Sequence, residues 1–121
     1  MVGDSLTTAV LQRALDGTWQ RQKAIVNNIA NHETPGYKAI KVSFEESLSK
    51  EVQKLNSKDI ENSDINVYSD YSTSERADGN NVNLDLENIE MAKTQIQYQY
   101  LTRSMTDMFS RLRYAISEGK R

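Results

Sequence analysis

Side chains able to make or break bonds are scarce in this chain. His32 is its only histidine and it has no cysteine, so neither a nucleophile with its base nor a nitrogen- or sulfur-ligated metal site can be assembled. No phosphate-cradling glycine loop and no pair of carboxylates on a rigid face stands nearby. A single histidine beside a helix end reads as a surface or capping residue. The acids in the middle of the chain could meet a hard cation, but the EF-hand spacing is absent and solvated charge is the default. The expectation is therefore no catalytic residue, no cofactor, no metal and no enzyme. A net charge of -2 and a sequence pI near 5.4 leave no basic footprint for nucleic acid or an anionic membrane. Without cysteine no disulfide framework is possible, so packing alone must hold the chain.

What these residues can do is set backbone conformation. The apolar periodicity that starts near Leu6 stops at Ile29, and Asn27, Asn28 and Asn31 bracket the stop. Asparagine tolerates the left-handed conformation that closes a helix. Thr34-Pro35-Gly36-Tyr37 then reads as a type II β-turn, with proline presetting φ at the second position and glycine supplying a positive φ at the third.

The string Asn27-Asn28-Ile29-Ala30-Asn31, then Thr34-Pro35-Gly36-Tyr37-Lys38, resembles the signature of the bacterial flagellar rod, hook and hook-associated axial proteins, which carry it at the end of an N-terminal helix. Asp78-Gly79-Asn80-Asn81-Val82-Asn83-Leu84-Asp85, followed by Ala92, Lys93, Gln95, Tyr98, Gln99 and the ending Phe109, Leu112, Arg113, Ala115, Ile116, is similar to the basal-body rod branch of that family. The likeness covers residues 5 to 45 and 78 to 117; Asn88 departs from it, standing where an apolar residue, usually Met, is expected. The resemblance implies a structural subunit of the proximal rod in the periplasm, exported by the flagellar type III apparatus and packed in a helical tube that transmits torque. It implies that Asn27, Asn28, Ile29, Ala30, Asn31, Thr34, Pro35, Gly36 and Tyr37 set the bend and its contacts with neighbouring subunits. The implied partners are other copies of the chain, adjoining rod subunits, the adapter to the membrane ring and the export apparatus.

The apolar pattern predicts two long helices that must position those residues. From about Ser5 to Asn31, with Asp4 or Ser5 as N-cap, Leu11, Leu15, Thr18, Gln22, Ile25 and Ile29 alternate steps of four and three, a heptad seam with a polar centre. Gly17 beside that centre costs on the order of 1 kcal/mol relative to alanine in a helix interior. Trp19 lies off the seam with Val10, Ala14 and Val26, and reads either as core or as a contact with another subunit. From about Asp85 to Ser117, Met91, Thr94, Tyr98, Leu101, Met105, Met108, Leu112 and Ala115 form a stricter seam. Ile89, Ile96, Tyr100, Phe109 and Ile116 widen it beyond what one facing helix covers. Helical spacing assigns the Met and Tyr residues to packing rather than to a cofactor box or groove. Asp85, Glu87 and Glu90 early, and Arg111, Arg113, Lys120 and Arg121 late, suit the helix dipole.

Between them, Ser43-Phe44-Glu45-Glu46 reads as a capping box ahead of a short helix near 44–55. Residues 56 to 81 have the composition of a segment that is disordered alone and docks on a partner, with Ile65-Asn66-Val67 a possible short strand. The expected fold is all-α, in one domain over 1–121: two long terminal helices packed as a coiled-coil-like hairpin, joined by an extended, largely irregular middle segment with one short helix. No stretch approaches the roughly 18 apolar residues of a membrane span. The N-terminus lacks the pattern of a cleaved signal, so export without one is expected. The competing reading is a helical-hairpin adaptor or small secreted interaction protein that pairs with one partner and never polymerises.

Overall fold

The computed structural model describes residues 2–119, with side chains from residue 5. Its elements in order are α1 (Val2–Ala30), β1 (Ile40–Ser43), α2 (Glu45–Gln53), α3 (Ser57–Glu61), β2 (Asn66–Ser69) and α4 (Leu84–Gly119). Thr8 Oγ1 lies 3.6 Å from Met108 Sδ and Asn28 Nδ2 lies 3.1 Å from Glu87 Oε2, so α1 and α4 run antiparallel. At roughly 1.5 Å per residue, the 36 residues of α4 outreach the 29 of α1. No helix among the described residues is long and apolar enough to cross a membrane.

The all-α expectation needs correction in the middle of the chain. β1 and β2 pair antiparallel, with Ile40 opposite Ser69 and Val42 opposite Val67, and two short helices stand between them where one was expected. The segment does not wander because its few apolar side chains find α1: Ile60 is 1% exposed, and Arg13 Nε donates to Ser63 O at 2.9 Å. Composition averaged over 56–81 conceals that placement. The capping box is not formed. Ser43 ends β1, and Phe44 occupies the N-cap of α2 without a side-chain cap bond, because its ring is required in the core.

That core lies between α1 and the middle segment rather than along the helix pair alone. Ala9, Ala14 and Ala24 of α1 are buried with Val42, Phe44, Leu48 and Ile60, small residues on one side admitting large ones from the other. Gly17 is the deepest notch: a Cβ there would fall 2.5 Å from Phe44 Cγ. The helix centre that reads as weak in sequence is thus shaped for a ring. On the seams, Thr18, Ile25, Thr94 and Met108 are buried, and Leu11, Leu15, Gln22, Ile29, Met91, Leu101, Met105 and Leu112 are half-buried. Thr18 satisfies its hydroxyl by donating to Ala14 O at 2.7 Å. Tyr98 and Ala115 remain exposed. Trp19 is 52% exposed, which removes it from the core, and Lys23 Nζ sits 4.5 Å from its ring centroid. The α1 backbone is already helical at Asp4 and Ser5, so neither caps it; the Asp4 side chain, Lys120 and Arg121 lie outside the described residues.

Candidate functional site

The end of α1 builds a clasp from short polar side chains. Asn28 is 1% exposed and spends its whole amide. Its Nδ2 donates to Ile40 O at 2.9 Å and Glu87 Oε2 at 3.1 Å, while its Oδ1 accepts from Ile40 N at 2.8 Å and the Tyr37 hydroxyl at 2.9 Å. Asp70 N donates to Ala39 O at 2.8 Å, and by antiparallel alternation Ile40 and Val42 then turn their polar groups away from β2. Asn28 takes both groups of Ile40, and Arg21 Nη2 donates to Val42 O at 2.8 Å. Side chains of a helix thereby stand in for part of a third strand.

The turn follows the same economy of short side chains. Asn31 Nδ2 donates to Asn27 O at 2.8 Å and its Oδ1 accepts from Thr34 Oγ1 at 3.0 Å. Tyr37 N donates to Thr34 O at 3.2 Å, and Gly36 has φ +74, the left-handed value a side chain would resist. Asn27 Nδ2 donates to the Tyr37 hydroxyl at 2.8 Å. Burial holds that phenol above its ordinary 10.0, the Asn27 bond opposing and the Glu87 carboxylate assisting, so Tyr37 stays a neutral donor. Ile29 is half-buried, and Ala30 and Pro35 are exposed. None of the three asparagines closes α1 with a left-handed residue: glycines aside, only Leu55 among the described residues has a positive φ. Their use is in side-chain bonding, which corrects the reading from conformational tolerance.

A second stretch, far away in sequence, completes the clasp. Gly36 N donates to Asp78 O at 2.8 Å, and a Cβ on Gly79 would meet Gly36 Cα at 3.3 Å. Asn80, fully buried, donates from Nδ2 to Asn31 O at 2.8 Å and Thr34 O at 2.9 Å and accepts from Val82 N at 2.8 Å. Asn81 accepts from Ala39 N at 2.7 Å and donates to Asp70 O at 2.6 Å. Arg76 donates to Val82 O at 2.7 Å and also to His32 O. Asn83 Oδ1 accepts from Asp85 N at 3.0 Å and Leu86 N at 3.2 Å, capping α4. Asn80, Asn81, Arg76 and Glu87 are absent from the sequence-derived site. The signal for Glu87 was its phase, four residues before Met91 on the seam; read as a dipole acid, it instead turns inward and is 3% exposed.

Nothing here is reactive, and among the described residues no group of three or more His, Asp or Glu side chains could hold a metal. What the clasp can do is fix the angle between α1, the ribbon and α4. A buried amide left without a partner costs about 1–3 kcal/mol, so a network this interlocked tolerates little deviation.

Residues 9–38 match a family profile described as flagella basal body rod protein. The chain is 39% identical over 119 residues to the flagellar basal body rod protein FlgB of Bacillus subtilis (strain 168), covering 91% of this chain and 92% of that one. The FlgB protein of Buchnera aphidicola is 34% identical over 102 residues, 73% of this chain and 77% of its own. That of Borreliella burgdorferi is 32% identical over 115 residues, 80% and 85% respectively.

Proposed function

Because the chain belongs to the flagellar basal body rod protein FlgB family, and so is a structural, non-enzymatic rod subunit of the flagellar basal body, we propose that it builds the proximal rod by polymerising through α1 and α4. In this reading the helical assembly transmits motor torque through many small interfaces. Its neighbours are other copies, adjoining rod subunits and the adapter to the membrane ring, and it reaches the periplasm through the flagellar type III apparatus without a cleaved signal. The motif Asn27 to Tyr37 holds the bend that aims the two helices at those neighbours.

The observation that carries the proposal is apolar surface left uncovered by a single copy. On the outer side of α4, Ile89, Ile96 and Tyr100 are 51%, 67% and 73% exposed, and Phe109 and Ile116, 46% and 61% exposed, flank the seam further along the helix on its other side. Trp19 and Val26 form a separate exposed pair on α1, spaced seven residues apart. Exposed apolar patches of this kind mark surfaces that meet a partner. Patches on different surfaces that meet each other make a head-to-tail contact, which builds a ring or an open helix rather than closing as a dimer does. The test is Ile96→Asp in a motile strain. The purified variant should keep its helical circular dichroism while cells lose rods and swimming; normal rods, or a defined one-to-one complex with a single partner in place of a polymer, would refute the proposal.

A further inference from the structure

Glu87 is a carboxylate held at 3% exposure in the seam phase of α4, and among the described residues its ion pair is a long one. Lys41 Nζ is 4.0 Å away with its side chain 39% exposed; its direct partner is Asn28 Nδ2 at 3.1 Å. A buried polar pair of this kind is a poor stabiliser but a good specifier of helix register. The chemistry is one-sided, since an ionised carboxylate only accepts while an amide has a donor end and an acceptor end. Facing Glu87 with Nδ2 leaves Asn28 Oδ1 for the Tyr37 hydroxyl and Ile40 N. A flipped amide would set Oδ1 against two acceptors, Glu87 and Ile40 O. We infer that Glu87 is a positioning residue that, together with the Ile40 peptide groups, fixes the orientation of the Asn28 amide, and that the Asn28–Glu87 pair sets the register of α4 along α1. The rod-subunit reading gives that register its consequence, because it decides where the outer apolar stripes sit, but the test below reads one copy of the chain.

The absence of cysteine allows spin labels at Gln12→Cys and Gln95→Cys, both exposed, whose separation dipolar spectroscopy measures in the dilute full-length chain. The parent should give one narrow distance. Glu87→Leu should broaden it or move it by about one helical turn, roughly 5 Å, and Glu87→Gln, which keeps an acceptor, should restore it. Asn28→Asp provides an arm that survives if Glu87→Leu fails to fold. It sets two carboxylates together, with Arg21, Lys41 and Glu90 lining the adjoining cleft and the Tyr37 hydroxyl beside them. Its distance should be broad near pH 8 and narrow toward about pH 5, as a shared proton restores a donor. An unchanged distance in folded Glu87→Leu, a failure of Glu87→Gln to restore it, or a pH-independent distribution in Asn28→Asp would overturn the inference. A shifted distance in Glu87→Leu with rods and swimming intact would leave the inference standing and fault the rod reading instead.

Discussion

Gly17 and Gly36 show how one residue type serves two unrelated physical ends. At Gly36 the surroundings are open, with nothing within 4 Å of a built Cβ, and the constraint is wholly the φ of +74. Replacement by valine should cost about 1–3 kcal/mol, the range for a strained left-handed residue, and should abolish swimming; urea midpoints and motility in the altered strain check both. At Gly17 the backbone is ordinary helix and the constraint is the Phe44 ring. Helix propensity alone predicts that Gly17→Ala stabilises by about 1 kcal/mol. Overpacking against a buried ring costs about 1–3 kcal/mol, so the structure predicts a net loss, and the sign of the measured change decides between them. The Thr34-Pro35-Gly36-Tyr37 turn was legible because proline and glycine state their dihedral demands in their own chemistry. Gly17 was not, since its partner stands 27 positions away and leaves no local trace.

Each element tells a similar story about range. The two long helices were legible from period alone, and their antiparallel pairing needs only the return of the chain. The ribbon β1–β2 and its docking were not, because Asn28 and Arg21 supply from a helix what a neighbouring strand would supply, and no periodicity encodes that. Asparagines stand at both ends of the clasp in the sequence; that Asn80 and Asn81 close on Asn31 and Ala39 is a long-range fact. Between α1 and α2 the contact is electrostatic as well as apolar. The hydrogen bond from Arg21 is the main cause holding the Glu45 carboxyl below its ordinary 4.5, and the Arg21 guanidinium sits 4.9 Å from the Phe44 centroid. A carboxyl lowered on folding adds stability that is present above its unfolded value and lost as pH falls through the folded one. Glu45 is 52% exposed, so solvent screening limits the contribution to below about 1 kcal/mol. Glu45→Gln should therefore be slightly less stable than the parent at neutral pH, by less than about 1 kcal/mol, and the difference should vanish as pH falls through the lowered Glu45 value. A difference that persists unchanged in acid would show that packing, not the ion pair, is what the substitution removed.

Across the whole molecule, burial is uneven in a way that assigns separate stabilities to its two halves. The core around Phe44, Leu48 and Ile60, together with the asparagine clasp, is complete within one copy. The distal part of α4 is not: after Met108 only Leu112 is even half-buried, while Phe109, Tyr114 and Ile116 face water. Helix segments without tertiary packing are marginal in water, since most helical stability in proteins comes from a buried face. Stability should therefore grade along the chain, with local opening near zero free energy at one end and the global value at the other. Hydrogen exchange of the dilute subunit should find backbone amides of residues 14 to 28 protected to the limit of global unfolding, and those beyond residue 110 exchanging close to the rate of an open chain. On the proposed assembly, in which neighbouring subunits supply the missing face, the distal amides should become protected in rods. Uniform protection of α4 in the isolated chain would mean that its exposed stripe needs no company, and the argument from uncovered surface to polymer would then fail at its first step.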